Sequence, residues 1–242
     1  FTGSRSGGKA LMKTAQGRPQ PIPVYAEMSS INPVFLMPEA LKARGRQIAD
    51  GFVGSLNMGA GQFCTNPGLV IAIKGPELET FIEAAVEGIK SSAPQTMLSP
   101  GIHGAYEQGV ARISNSSKVR EAAQGQVDKS PNQCRAGLFI TTAEDFLNES
   151  ELQEEVFGAT SLIIECADQN DVRRVAEQLE GQLTITLQLE DGDLPAARVL
   201  MPIVERKAGR VLANGWPTGS WTMITSVCCA APCVPMDAHG PT

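Results

Sequence analysis

The chain has 242 residues, 42% of them hydrophobic and 19% charged, a composition typical of a globular protein that can bury a sizeable core. Its 26 acidic and 20 basic residues give a formal net charge of −6 with no basic run, which argues against nucleic acid as a partner. No apolar stretch approaches the roughly 20 residues that span a bilayer, and the first residues form no secretory signal, so we expect a cytoplasmic protein with reduced thiols and no membrane partner.

The first third of the chain predicts short elements separated by turns. Residues 4–16 predict a turn and a short helix, residues 22–27 a strand, residues 33–37 an extended segment and residues 38–56 a long helix. A glycine-rich bend at 59–61 ends this helix and leaves the backbone open on one side just before Cys64.

Beyond Cys64, predicted strands and helices alternate. Strands are predicted at residues 69–73, 137–141, 162–166, 183–189 and 211–213, and helices at residues 77–90, 102–115, 117–124, 171–179 and 196–207. This order predicts an α/β fold in which a largely parallel sheet is covered by helices on both faces. Residues 220–242 show neither period, so we expect an irregular tail.

Cys64 is the first candidate for chemistry. A thiol just after a glycine-rich bend lets a carbonyl oxygen approach main-chain N–H groups near the sulfur, which is the geometry of an oxyanion site. A free thiol with a pKa of about 8.5 needs a base or a positive dipole to be an effective nucleophile at neutral pH. The alternative is a buried cysteine that only packs in the core.

Four sequence blocks resemble the aldehyde dehydrogenase superfamily in order and spacing. They are Phe-Thr-Gly-Ser at 1–4, Val-Tyr-Ala-Glu-Met-Ser-Ser-Ile-Asn-Pro at 24–33, Gly-Ala-Gly-Gln-Phe-Cys-Thr-Asn-Pro-Gly at 59–68 and Glu-Glu-Val-Phe-Gly at 154–158. With Asn-Gly-Trp-Pro-Thr-Gly at 214–219, their wording is similar to the NADP-using branch that oxidises α-ketoglutarate semialdehyde (2,5-dioxovalerate) and fatty aldehydes.

The resemblance implies a division of the chain and a reaction. It implies an aldehyde-dehydrogenase-like catalytic domain at residues 34–219, preceded at residues 1–33 by the C-terminal end of a Rossmann-like NAD(P)-binding domain. The chain is then a fragment of a longer, homo-oligomeric enzyme that oxidises an aldehyde, in particular a semialdehyde, with NADP or NAD. Because the family's oxyanion asparagine would precede Phe1, we expect little dehydrogenase turnover from the chain alone.

The resemblance also assigns catalytic roles. It makes Cys64 the nucleophile and Glu27 the base that activates water against a thioester, a task that burial of the carboxylate favours. Without the resemblance, Glu27 is a carboxylate at a strand end that faces water. Asn214 matches a family residue near the active site.

Four further residues match cofactor-binding positions of the family. Gly3 and Ser4 match the turn that approaches the pyrophosphate at a helix N-terminus, although Ser4 is equally an ordinary helix cap. Glu155 and Phe157 match the pair that holds the nicotinamide-side ribose and lies against the nicotinamide. Their alternatives are an exposed acid and a core aromatic residue.

The tail carries Cys228, Cys229, Cys233 and His239. Their spacing does not follow the paired cysteines of zinc modules, so we predict no metal site. The resembled family has a glycine-rich segment here, which residues 220–242 do not match, and we interpret them as an out-of-frame end.

Two other functions stay open from the sequence. A cysteine nucleophile and a carboxylate base without hydride transfer would make an esterase or acyl transferase. The chain could also be a catalytically incompetent assembly module, since family members form dimers and tetramers through this half.

Overall fold

The computed structural model describes residues 1–219, and its centre is a seven-stranded sheet. In that range the helices are α1 (Arg5–Gln16), α2 (Pro38–Asn57), α3 (Pro76–Ser91), α4 (Pro100–Ser114), α5 (Ala143–Asn148), α6 (Gln169–Gln178) and α7 (Leu194–Lys207). The strands are β1 (Val34–Leu36), β2 (Leu69–Ile73), β3 (Gln95–Thr96), β4 (Arg120–Gln124), β5 (Gln133–Cys134), β6 (Gly137–Thr142), β7 (Thr160–Cys166), β8 (Gln182–Gln188) and β9 (Ala208–Ala213). Short 3-10 turns lie at Met58–Gly61, Ser150–Gln153 and Asp191–Asp193. The predicted irregular tail and its cysteines lie outside the described residues.

The sheet has the strand order β4-β6-β7-β2-β1-β8-β9. All neighbours pair in parallel except β4, which pairs antiparallel with β6 at one edge. The predicted α/β fold with a largely parallel sheet is therefore confirmed. The two-residue strands β3 and β5 form a separate antiparallel pair.

Helices cover both faces of the sheet, as the sequence predicts. Alternate residues of β1 point to opposite faces, so Val34 and Leu36 join the hydrophobic cluster beneath α2 and α3. Phe35 joins the other cluster, beneath α5, α6 and α7. All three side chains are buried, and each stabilises the fold by about 1.5–3 kcal/mol through apolar area removed from water.

The helix predicted at residues 117–124 is wrong, because this segment forms the edge strand β4. Glu121, Ala122 and Ala123 favour a helix as local sequence. The structure instead pairs Glu121 and Ala123 with β6, and a register shift between these two residues leaves Ala122 without a partner in β6. Pairing with the sheet edge thus overrides local propensity.

The strand predicted at residues 22–27 is also absent. Glu27 forms one isolated parallel bridge with Thr2, and the residues before it form no ladder. Pro23 has no N–H to donate, which prevents regular pairing there.

Residues 1–33 contribute α1 but no strand of the seven-stranded sheet, which begins with Val34. Their assignment to a separate cofactor domain stays a prediction. Across residues 1–219, no helix combines the length and the apolar character needed to cross a membrane.

Candidate functional site

The amino ends of four neighbouring strands gather most of the predicted site residues. Strands β7, β2, β1 and β8 are parallel neighbours, so the segments that lead into them meet at the end of the sheet where these strands begin. Glu155 and Phe157 precede β7, Cys64 precedes β2, and Glu27 precedes β1. Segments far apart in sequence therefore lie side by side.

Cys64 lies in a tight turn on the surface. The N–H of Asn66 donates to the carbonyl of Phe63 at 3.0 Å, which closes the turn around Cys64 and Thr65. The Cys64 side chain is exposed, and neither its N–H nor that of Thr65 donates a hydrogen bond to any described residue. Both N–H groups beside the sulfur are thus available to an oxyanion.

The other two described cysteines differ from Cys64. Cys134 and Cys166 are buried, and burial raises the pKa of both thiols, that of Cys166 to about 12. They match the alternative of a cysteine that only packs in the core, and Cys64 does not.

The glycine-rich bend that the sequence predicts before Cys64 is present, and its backbone is strained. Gly59, Ala60 and Gly61 all have positive φ angles, and the Ala60 N–H donates to Gln95 Oε1 at 2.9 Å. A Cβ on Gly61 would come within 2.2 Å of the Ala159 nitrogen. Only glycine permits this close approach between the bend and the segment that enters β7.

Asn32 ties the Cys64 turn to the segment that carries Glu27, and sequence reasoning missed it. Its Nδ2 donates to the Cys64 carbonyl at 2.9 Å and to the Asn66 carbonyl at 3.0 Å. Its side chain is 1% exposed, and its φ is 46°. A signal was present, since asparagine in a turn is one of the few residues that tolerate positive φ.

Glu27 is placed by its backbone beside the predicted pyrophosphate turn. The Gly3 N–H donates to the Glu27 carbonyl at 3.0 Å, and the Glu27 N–H donates to the Phe1 carbonyl at 2.8 Å. The carboxylate is exposed and lines an open cavity with Gln182. Among the described residues its side chain makes no hydrogen bond with Cys64, and the burial that favours a base is not present.

Glu155 and Phe157 lie close to the Cys64 turn. They line a narrow cavity together with Gly61 and Asn66, which flank that turn. Burial raises the pKa of Glu155, and hydrogen bonds from the Ser29 hydroxyl and the Ser30 N–H oppose the shift. Phe157 is 39% exposed, so it is not a core residue, and Glu155 is only half-buried.

Ser4 caps α1, and Gly3 precedes it. The Ser4 Oγ accepts from the Gly7 N–H at 3.2 Å, which confirms its role as a helix cap. Ser4 and Glu155 line one cavity, together with Arg5 and Lys9. Arg5 is paired with Glu180, which lines the same cavity, so the helix N-terminus and Lys9 suit a phosphate, and the Glu155 carboxylate suits ribose hydroxyls.

Asn214 stands apart from these residues. It follows the carboxyl end of β9, whereas Cys64 precedes the amino end of β2. Because the strands are parallel, the two residues lie at opposite ends of the strands. Its Oδ1 accepts from Arg44 Nη2 at 2.6 Å and from the Leu189 N–H at 2.8 Å. In this structure Asn214 anchors loops at the far end of the strands.

The described residues offer no site for a metal. No group of three or more His, Cys, Asp or Glu side chains in residues 1–219 lies close enough together to hold an ion. The cysteines and the histidine of the tail lie outside that range.

Sequence comparison adds two close relatives and a family. The model of the aldehyde dehydrogenase family matches residues 1–226. Alpha-ketoglutaric semialdehyde dehydrogenase 2 of Azospirillum brasilense is 53% identical over 219 residues, which cover 90% of this chain and 42% of the relative. Alpha-ketoglutaric semialdehyde dehydrogenase of Acinetobacter baylyi is 46% identical over 220 residues, with the same two shares. The chain thus spans about two fifths of the length of these relatives.

Solved structures share the fold. Proline utilization A from Bdellovibrio bacteriovorus superposes with a TM-score of 0.76 at 19% identity, over 91% of this chain and 23% of that one. Betaine aldehyde dehydrogenase from Staphylococcus aureus superposes with a TM-score of 0.72 at 17% identity, over 89% of this chain and 43% of that one. These likenesses support the fold, and the family match over most of the sequence shows that the chain belongs to the aldehyde dehydrogenase family.

Proposed function

We propose that this chain supplies the catalytic cysteine and the base of an NAD(P)-dependent aldehyde dehydrogenase that converts a semialdehyde to its carboxylic acid. The observation that carries the proposal is the surface turn of Cys64, whose sulfur lies beside two N–H groups without an acceptor among the described residues. Glu27 and Glu155 precede β1 and β7, the two strands on either side of β2, and Cys64 precedes β2 at the same end of the sheet.

In the proposed reaction, the Cys64 thiolate forms a C–S bond with the aldehyde carbon, and the carbonyl oxygen becomes an oxyanion. Main-chain N–H groups of the turn donate to this oxyanion, and each such donor stabilises the transition state by about 2.7–4 kcal/mol. Loss of a hydride from the same carbon leaves a thioester on Cys64.

Glu27 serves the second half of the reaction. Its carboxylate takes a proton from water, the water oxygen bonds to the thioester carbon, and the C–S bond breaks to release the acid and the thiolate. This task requires the Glu27 side chain to turn toward Cys64, and its exposed position leaves it free to rotate. General base catalysis of this kind contributes about 10²–10⁴-fold.

The cofactor would occupy the cavity between α1 and Glu155. Ser4 and the first turn of α1 would receive the pyrophosphate, while Glu155 would accept from ribose hydroxyls and Phe157 would lie against the nicotinamide. When bound, NAD(P)⁺ supplies the acceptor for the hydride.

The substrate class comes from the relatives. Both are named for α-ketoglutaric semialdehyde, and one is 53% identical to this chain. We therefore propose that substrate for the complete enzyme, with a homo-oligomeric assembly as in the family.

The test is expression of the whole gene that contains this chain, followed by the aldehyde-dependent rise in absorbance of NADH or NADPH. α-Ketoglutarate semialdehyde should give the highest kcat/KM in a panel of aldehydes. Cys64→Ser should abolish the activity, and Glu27→Gln should lower kcat about 10²–10⁴-fold while a thioester accumulates on the enzyme. Glu151→Gln, an exposed acid before β7, is the control and should keep full activity.

Aldehyde oxidation that survives Cys64→Ser would overturn the proposal. Ester hydrolysis that depends on Cys64, with no aldehyde oxidation under either cofactor, would favour the esterase instead. Stable oligomers with neither reaction would favour the assembly module.

A further inference from the structure

We propose that Asn32 is a positioning residue, which turns the peptide between Cys64 and Thr65 so that the Thr65 N–H faces the reacting carbonyl. The inference rests on the proposed role of Cys64 as a nucleophile. It adds a second main-chain donor and identifies the side chain that aims it.

The side-chain amide of Asn32 has only one orientation that satisfies its neighbours. Its Nδ2 donates to the carbonyls of Cys64 at 2.9 Å and Asn66 at 3.0 Å. Its Oδ1 accepts from the hydroxyls of Ser30 at 2.8 Å and Thr184 at 3.1 Å. Carbonyls accept only, so an exchange of Nδ2 and Oδ1 would lose the bonds to the Cys64 turn.

Asn32 is held rigidly. Its backbone N–H donates to Gln182 Oε1 at 3.1 Å, and the same oxygen accepts from the Ile31 N–H at 2.8 Å. The residue is buried, and a fully satisfied polar network in the interior fixes its members in one arrangement. The Cys64 carbonyl is therefore bound to a rigid part of the fold.

The orientation of this carbonyl fixes the adjacent N–H. In a trans peptide, the C=O and N–H groups point in opposite directions. The Cys64 carbonyl points inward to Asn32, so the Thr65 N–H of the same peptide points outward, to the side where the Cys64 side chain is exposed. This N–H donates to no described residue, so it can serve an incoming carbonyl oxygen.

Two reactions of Cys64 separate this role from a merely structural one. In acylation by p-nitrophenyl acetate, the thiolate bonds to the ester carbon, an oxyanion forms and p-nitrophenolate leaves. In alkylation by iodoacetamide, the thiolate displaces iodide and no oxyanion forms. A residue that aims an oxyanion donor should affect the first reaction far more than the second.

The experiment uses the 242-residue chain. The burst of p-nitrophenol is measured above that of Cys64→Ser, and alkylation is followed on the peptide that contains Cys64. We expect Asn32→Gly, which tolerates the positive φ, to slow acylation about 10²-fold with a much smaller change in alkylation. Asn32→Asp keeps the acceptor oxygen and cannot donate when ionised. It should therefore lower the ratio of the acylation rate to the alkylation rate, and it replaces the glycine variant if that variant does not fold.

Asn132→Gly is the matched control. Asn132 also has a positive φ, 58°, and makes no hydrogen bond to the Cys64 turn, so its substitution should change neither rate. Equal falls in both rates, or no fall, in the Asn32 variants would overturn the inference and leave the proposed nucleophile intact. A wild-type chain with no burst above Cys64→Ser would instead contradict the proposed function itself.

Discussion

Gly61 lies so close to Ala159 that a Cβ on residue 61 would come within 2.2 Å of the Ala159 nitrogen. The contact is between two backbones, so no side chain can move aside to relieve it. Gly61 also has a φ of 67°, a conformation that L residues with a side chain rarely adopt. The bend before Cys64 can thus pack against the entry to β7 only because residue 61 has no side chain.

Gly61→Ala should therefore destabilise the fold and displace the Cys64 turn. We expect the free energy of unfolding to fall by about 1–3 kcal/mol or more, because the new methyl group adds backbone strain and overpacking. Urea denaturation measures the loss, and slower ester acylation of Cys64 should accompany it. Gly54→Ala is the control, since an added Cβ there meets nothing within 4 Å on α2, and it should gain about 0.5–1 kcal/mol. Equal stability of the two variants would contradict the close approach.

The fold could be predicted from sequence where hydrophobic period and chain order agree. Strand β2 is a continuous apolar run, β7 has an apolar run at residues 162–164, and α3 repeats its apolar residues at helical spacing, so the sequence predicts these elements with nearly correct bounds. The edge strand β4 could not be predicted in this way, because its Glu-Ala-Ala sequence favours a helix until β6 pairs with it.

Glu155→Gln should make stability less dependent on pH. Burial raises the pKa of Glu155, so the folded state binds its proton more tightly than the unfolded state, whose pKa is about 4.3. The wild type therefore loses stability as the pH rises from that value through the raised pKa of Glu155. The glutamine variant lacks this loss, so its stability relative to the wild type should increase over the same range.

Urea unfolding at a series of pH values measures this difference. Glu151→Gln, which changes the same charge at an exposed position, should not reproduce the gain. A constant difference between Glu155→Gln and the wild type at every pH would show that burial of this carboxylate has no energetic consequence.

Asn214→Gly should destabilise the chain without changing the reactions of Cys64. Asn214 Oδ1 accepts from the Arg44 guanidinium at 2.6 Å, at the end of the strands opposite Cys64. Loss of a hydrogen bond to a charged group costs about 1.5–3 kcal/mol, and glycine keeps the positive φ of 56° without strain. Thermal unfolding measures the loss, and a fall in the rate of Cys64 acylation would instead place Asn214 in the active site.

The candidate site could be predicted only as far as its motifs extend. The sequence identified Cys64 by its glycine-rich bend, and Glu155 by its family block. Asn32 was not identified, because its importance comes from the carbonyls of Cys64 and Asn66 and the hydroxyl of Thr184, which only the folded chain brings around one amide. The placement of Asn214 at the far end of the strands depends in the same way on strand order, which local patterns do not determine.

Tyr106→Phe should lower the free energy of unfolding, most clearly at neutral pH, because Tyr106 packs against the segment that enters β7. The Tyr106 hydroxyl is 2.7 Å from the Arg135 carbonyl and 2.7 Å from Thr160 Oγ1, and its ring lies against Gly158. Removal of the hydroxyl leaves buried partners unpaired, so we expect a loss of about 1–3 kcal/mol.

Alkaline pH should reduce the difference in stability between the wild type and Tyr106→Phe, because burial raises the pKa of Tyr106 well above its ordinary value of 10.0. The stability that comes from the neutral phenol is present in full below the unfolded pKa of about 10 and is lost as the pH rises through the raised pKa. Phenylalanine has no phenol to ionise, so the variant lacks this loss, and urea unfolding at neutral and alkaline pH measures the comparison. Tyr25→Phe provides the control, because Tyr25 is 84% exposed and its substitution should leave stability unchanged at neutral pH. A Tyr106→Phe variant as stable as Tyr25→Phe at neutral pH would mean that the hydroxyl contributes no net stability to the entry of β7.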